Sequence, residues 1–284
     1  MHILVTGSKG QLGMELQKVA TNYPQHQFIY TDIDELDISL SKALHEFFNH
    51  QQFDVVINCA AFTAVDRCET EKELARKVNA LSVKNLAKES ALRNFKLIHI
   101  STDYVYDGKA HLPYKETDFT NPNSAYGMSK LEGEELIEEF ARTAIIIRTS
   151  WLYSAYGNNF VKTILKHAAE KPELRVVFDQ IGTPTYAGDL AEVILLHLDG
   201  FDFMNGVHLF NYSNEGVCSW YDFAKEIVDI KGLPCLIKPI LTQDYPLPAP
   251  RPAYCVLDKS KIKEEAGIVI PHWKDSLKKC LKDL

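Results

Sequence analysis

Tyr126 and Lys130, separated by three residues in Ser124-Ala-Tyr-Gly-Met-Ser-Lys130, are the first residues in this chain that suggest a reaction. On a helix the phenol and the ammonium would share one face, one turn apart. A positive charge beside a phenol favours the phenolate, so the lysine is expected to lower the tyrosine pKa. Such a tyrosine gives a proton to a developing alkoxide or takes one from an alcohol. The pair therefore proposes carbonyl reduction or alcohol oxidation, provided a hydride carrier lies beside it. The same spacing recurs in Tyr221-Asp-Phe-Ala-Lys225. Spacing alone does not choose between the copies, and the surrounding elements must.

A carrier site is suggested by Gly7-Ser-Lys-Gly10-Gln-Leu-Gly13, which follows an apolar run and opens a helical pattern. Gly7, Gly10 and Gly13 would allow a tight turn and close approach to a pyrophosphate. Gln11 and Leu12 begin the helix whose free N–H groups would face the anion. About twenty residues on, Asp32 ends the next apolar run, where a carboxylate would bind the ribose hydroxyls of NADH. It would repel the 2′-phosphate of NADPH, and Lys9 in the turn could pair with that phosphate instead. Both NADH and NADPH stay open. Asp37 and Ile38 are placed near the adenine or on exposed surface.

A third element is Leu97-Ile-His-Ile-Ser-Thr-Asp-Tyr-Val-Tyr-Asp-Gly108, an apolar run that turns polar. Ligands of parallel sheets bind beyond the carboxyl ends of the strands. Thr102 there could hydrogen-bond a carbonyl oxygen and stabilise charge on it, or merely cap the strand end. Tyr126–Lys130 follows the glycine turn and this hydroxyl. Tyr221–Lys225 has no such setting and reads as a pair on an ordinary helix.

The positioning elements are legible in the first half. Strands are expected at His2–Thr6, Gln27–Thr31, Asp54–Ala60, Lys96–Ser101 and Ala144–Arg148. Runs such as Ala144-Ile-Ile-Ile-Arg148 suit strands covered on both faces. Helices are expected at Gln11–Thr21, Leu40–Asn49, Leu74–Arg93 and Ala125–Phe140. The alternation predicts an α/β fold, a Rossmann-type doubly wound parallel sheet over residues 1–150. Residues 151–284 form a smaller, mainly substrate-binding region, with segments free to return to the first. There, helices are expected at Asn159–Glu170, Gly188–Leu198, Trp220–Ile230 and Trp273–Leu284, and a strand at Arg175–Phe178. The proline-rich stretch from Pro234 to Pro252 reads as a wall or lid over a cleft.

A net charge of −7 argues against nucleic acid or an anionic membrane as main partner. No apolar run approaches the ~20 residues of a membrane span. The start, Met1-His-Ile-Leu-Val-Thr-Gly7, lacks the pattern of a signal peptide. The six scattered cysteines, with no C-x-x-C, suggest free thiols in a reducing cytoplasm.

These motifs resemble the extended short-chain dehydrogenase/reductase family, and within it the dTDP-4-dehydrorhamnose reductase branch. The resemblance is carried by Gly10–Gly13, Asn58-Cys-Ala-Ala-Phe-Thr-Ala-Val-Asp66, Ser101–Gly108, Tyr126–Lys130, Arg148-Thr-Ser-Trp-Leu-Tyr153, Asp179-Gln-Ile-Gly-Thr-Pro-Thr-Tyr186 and Arg251-Pro-Ala-Tyr-Cys-Val-Leu-Asp258. It covers nearly the whole chain. It implies hydride transfer from NAD(P)H to C4 of dTDP-4-dehydro-L-rhamnose, giving dTDP-L-rhamnose for cell-surface polysaccharide. It assigns catalysis to Thr102, Tyr126 and Lys130, with Lys130 also on the nicotinamide ribose. It places Ala60, Ala61, Phe62 and Thr63 along the cofactor, Asp103 and Trp151 near the sugar, and Arg251 near the diphosphate. Departures are Asn58-Cys59, where alanine is more usual, and Tyr106, where phenylalanine is common. Some relatives are magnesium-bridged homodimers, with Glu15, Asp189 and Asp283 at the matching positions here. Two of these are the shorter aspartates, so three solvated surface acids and no metal are expected, and a homodimer stays open. Rival readings are a reductase, dehydratase or epimerase of another nucleotide-linked keto sugar, and a non-catalytic regulatory subunit of methionine adenosyltransferase.

Overall fold

Apolar runs in the first half become the inner strands of one sheet. These are β1 (His2–Thr6), β2 (Gln27–Thr31), β3 (Val55–Asn58), β4 (Lys96–Thr102), β5 (Thr143–Thr149) and β6 (Gly206–Tyr212). The computed structural model describes residues 1–198 and 206–284. All neighbouring pairs are parallel, in the order β2-β1-β3-β4-β5-β6. The order reverses between β1 and β3, which is where such sheets open a ligand crevice at their carboxyl ends.

The run Ala144–Ile147 shows why continuous apolar sequence suits this position. Ile145 and Ile147 pack into the core on one face, Ala144 and Ile146 into the core on the other. None of the four is more than 2% exposed, and each buried isoleucine contributes roughly 1.5–3 kcal/mol. On the first face lie α1 (Gln11–Ala20) and a later helix, Ala187–Leu196. On the second lie α2 (Ser41–His50), α3 (Ser82–Arg93) and α4 (Ala125–Phe140).

A separate apolar cluster holds the second region together. It packs α5 (Phe160–Glu170), α6 (Trp220–Lys231) and α7 (Trp273–Leu281) around Phe223, Ile227 and Leu277. A parallel strand pair, Glu173–Val177 with Leu236–Ile240, lies alongside.

Three expectations are corrected. Leu74–Arg93 is helical throughout but not regularly α-helical: Lys72–Arg76 is α-helical, Lys77–Leu81 is a π-helical turn, and α3 continues from it. The extra residue in that turn accompanies the burial of Asn79, whose amide bonds outside the helix. Second, β6 was not foreseen, because His208 and Asn211 interrupt its apolar residues. The proline-rich stretch does not line the central cleft. It is tied to the rim by Ala249 and Arg251, which both donate to Asp66.

Candidate active site

At the β1/β3 crevice the backbone has no room for side chains. Gly7 has φ +65°, and a Cβ there would stand 2.5 Å from the Ala60 nitrogen. A Cβ on Gly13 would meet the Gly7 carbonyl oxygen at 2.5 Å. The turn therefore lies flat against the chain leaving β3, with the N-terminus of α1 open above it. Two adjoining clefts result. One, about 490 Å³, is bordered by Gly7, Gly10, Asp32, Asp37, Ile38 and the Ala60–Phe62 backbone. The other, about 550 Å³, runs from Gly10–Gly13 past Ala61 and Thr63 to Thr102, Asp103, Tyr126, Lys130 and Trp151. The sequence-predicted residues are thus brought together, Arg251 excepted, which stands at the rim.

Asp32 accepts from the backbone N–H of Lys9 at 2.9 Å and of Ile33 at 2.8 Å. The Lys9 ammonium reaches Asp34 and Glu35, at 3.1 and 2.9 Å. Asp37 accepts from the Ser39 N–H and hydroxyl.

The reacting end is built by α4. Ser124 caps it, accepting from the Gly127 N–H at 3.1 Å, so Tyr126 falls in the first turn. A Cβ on Gly127 would lie 2.2 Å from the Tyr104 carbonyl oxygen, which fixes how closely α4 meets the end of β4. Thr102 donates to Asp103 at 3.0 Å and accepts from the Tyr104 N–H at 3.2 Å. Tyr126 packs edge-on against Tyr104, centroids 5.6 Å apart.

The electrostatics correct one expectation. Burial drives the Tyr126 phenol well above its usual range, and the Thr102 hydrogen bond offsets only part of that. Lys130 does not lower it. The Lys130 side-chain nitrogen donates to the Ile100 carbonyl at 2.7 Å and lies 3.2 Å from His99 Nε2. Burial lowers the Lys130 pKa to about 8, against the opposing pull of Glu134. Asp103 is pushed up to about 6 by burial; its Oδ2 has no hydrogen-bonding partner, with the Cys255 thiol nearby donating to Ile181.

The roles of four residues escaped sequence reasoning. Asn79 clamps the Ala60–Thr63 loop to α4: it bonds both the N–H and the C=O of Phe62 and donates to Ser129. Trp220, at the start of α6, stacks on Trp151 with centroids 3.6 Å apart. His99 and Asn58 sit beneath Lys130, joined at 3.0 Å. Trp151 itself has φ +47°, a strained conformation for a bulky residue. No local pattern marks these residues except the tryptophans' size.

The acids expected on the surface are mostly not there. Glu15 and Asp189 are buried: Glu15 accepts from Ser154, and Asp189 from Asn214 and Ser276. Asp283 pairs with Lys18 at 2.6 Å and Asp189 with Lys279 at 3.3 Å. Among the described residues no three His, Cys, Asp or Glu side chains converge as metal ligands. As expected, Tyr221–Lys225 lies on an ordinary helix, with Lys225 paired to Asp229.

Fold and site define a nicotinamide-dependent oxidoreductase of the doubly wound α/β class. The chain belongs to the family described as RmlD substrate binding domain, whose model matches residues 1–284. It is 43% identical over 281 residues to the spore coat polysaccharide biosynthesis protein SpsK of Bacillus subtilis (strain 168), covering 99% of this chain and 97% of that one. The crystal structure of a dTDP-4-dehydrorhamnose reductase from Clostridium acetobutylicum superposes with a TM-score of 0.95 at 44% identity, covering 99% of both chains. That of dTDP-4-dehydrorhamnose reductase from Bacillus anthracis str. Ames, in complex with NADP, gives 0.95 at 34% identity, covering 100% of this chain and 99% of that one.

Proposed function

We infer that this chain reduces the C4 keto group of dTDP-4-dehydro-L-rhamnose with NAD(P)H, giving dTDP-L-rhamnose for cell-surface polysaccharide. The observation that carries the reading is the placement of Thr102, Tyr126 and Lys130 in one cleft continuous with the glycine turn. The bound dinucleotide supplies the hydride. The Gly7–Gly13 turn and the first N–H groups of α1 hold its pyrophosphate. Asp32 takes the adenosine ribose, and the loop Ala60–Thr63 follows the cofactor.

Thr102 donates to the keto oxygen and orients it. Tyr126 then gives its phenolic proton to the oxygen as negative charge develops there. Its raised pKa suits this role, because the phenol stays protonated until a stronger base, the alkoxide, is formed. Lys130 as ammonium holds the nicotinamide ribose. Asp103, at the end of β4, borders the sugar, and Trp151, backed by Trp220, forms the wall against the sugar ring. Arg251 reaches the diphosphate, exchanging Asp66 for phosphate oxygens. Residues beyond 150 furnish most of the sugar side. The free cysteines and the nucleotide substrates suit a cytoplasmic enzyme; no described helix is long and apolar enough to cross a membrane.

The test is an assay of the purified protein with dTDP-4-dehydro-L-rhamnose and each cofactor, with NMR of the product. Tyr126→Phe should keep cofactor binding and lose at least ~100-fold in turnover. Near-normal turnover in that variant would sink the assignment, and a product other than dTDP-L-rhamnose would redirect it to another 4-keto sugar.

A further inference from the structure

Beneath the cleft a buried polar row crosses three strands, from Thr6 on β1 through Asn58 on β3 to His99 on β4, and ends at Lys130. Its protons can be counted. Asn58 Oδ1 receives the Thr6 hydroxyl at 2.7 Å and the Ala60 N–H at 3.2 Å. A backbone N–H only donates, so the Asn58 amide is oriented with its oxygen toward Ala60. Its NH2 then faces His99 Nδ1, 3.0 Å away, and that nitrogen must accept. His99 is fully buried, and that burial holds its pKa well below the usual imidazole value and keeps the ring neutral. A neutral imidazole has one N–H, here on Nε2, directed at the Lys130 nitrogen 3.2 Å away.

Such an N–H can meet an amine, which offers a lone pair, but not an ammonium. We propose that His99 is a positioning residue: held as its Nε2–H tautomer by Asn58, it makes the seat at Ile100 and His99 fit Lys130 only as the uncharged amine, so the ammonium swings into the cleft. The proposal rests on the reading that Lys130 works in the cleft as a cation. Protonation and position of Lys130 are then one event. The other groups facing Lys130 fit this account. Cys59 leaves β3 as a thiol, its pKa raised to about 12 by burial. Glu134, one turn along α4, is engaged by Arg148 of β5 and by Ser101. Tyr126 is a neutral phenol.

The experiment is 15N NMR of the whole protein labelled at histidine, without added cofactor, from pH 7 to 9. The expected result is an unprotonated Nδ1 and a protonated Nε2 for His99 throughout. An Nδ1–H tautomer or an imidazolium overturns the proposal. Asn58→Asp inverts the row, because a carboxylate accepts from Nδ1–H and frees Nε2 to hold the ammonium on the seat. That variant should show the opposite tautomer. Its KM for NADPH should rise at least tenfold, with the KM for the keto sugar unchanged. An inverted tautomer with unchanged cofactor KM overturns the coupling. If Asn58→Asp does not fold, the tautomer in the parent protein still decides. Lys130→Met separates the underlying reading: normal cofactor binding and turnover there removes a role for Lys130 in the cleft, whatever the tautomer.

Discussion

Replacing Glu134 by glutamine tests how the site is held and how it is charged in a single variant. Glu134 lies on α4 and is fully surrounded: Arg148 of β5 forks onto it at 2.6–3.1 Å, and Ser101 at the end of β4 donates to it. Side-chain exposures of 5% for Arg148 and 4% for Glu134 exclude solvent screening. Arg148 also donates to the Tyr106 hydroxyl at 2.8 Å and lies 5.0 Å from that ring's centre. Glutamine keeps the shape but leaves the guanidinium without its counter-charge. Breaking a buried pair from one side costs about 3–5 kcal/mol. At roughly 2–4 °C per kcal/mol for a large domain, the melting temperature should fall by about 6–20 °C. The same carboxylate raises the Lys130 pKa from across the turn. Without it, and with Arg148 unpaired nearby, the ammonium is harder to keep. The basic limb of the kcat/KM profile, expected near pH 8 if Lys130 acts as a cation, should therefore move to lower pH. Scanning calorimetry reads the first quantity and initial rates across pH the second. Unchanged melting refutes the reading of the pair as an anchor. A basic limb that stays or moves upward refutes the electrostatic one.

Other outcomes follow from the same geometry. In the parent enzyme, kcat/KM should decline as pH rises through about 8, because the fraction of Lys130 ammonium falls there; a flat profile to pH 10 would contradict this. Arg251→Ala should raise the KM for the nucleotide sugar about 10- to 100-fold, the scale of one charged hydrogen bond at 1.5–3 kcal/mol, with little change in the cofactor KM. Gly127→Ala forces a methyl onto the Tyr104 carbonyl, so turnover and melting temperature should both drop, and a variant normal in both would show that α4 can retreat. Chelation with EDTA should leave activity and melting unchanged, since lysines already pair with Asp283 and Asp189; a loss of either would point to a metal held elsewhere.

Much of the site could be read from the sequence because it lies at the ends of elements. The glycine turn and Thr102 sit where an apolar run stops, and Tyr126–Lys130 opens a helix just after its Ser124 cap; local pattern locates such boundaries. What escaped depends on strand register. His99 and Asn58 meet only because they are paired across β3 and β4, and within the sequence His99 is one polar residue inside an apolar strand. Asn79 owes its place to a π turn that no helical spacing announces. The pKa of Tyr126 was misjudged for a related reason. Proximity to Lys130 along the helix was inferred correctly, but the direction of the Lys130 side chain is set by partners 30 and 31 residues away, Ile100 and His99.

The sixth strand has a consequence for how this protein can be cut or recombined. β6 lies beyond residue 150 yet seals the edge of β5 through seven paired positions. A polypeptide ended after β5 would leave a bare, isoleucine-rich edge, a template for intermolecular pairing. It should therefore precipitate rather than yield a free-standing nucleotide-binding module. Hybrids between this chain and its relatives should accordingly tolerate joints in surface turns within one region. An exchange of everything after residue 150 would transplant a strand of the sheet along with the sugar side.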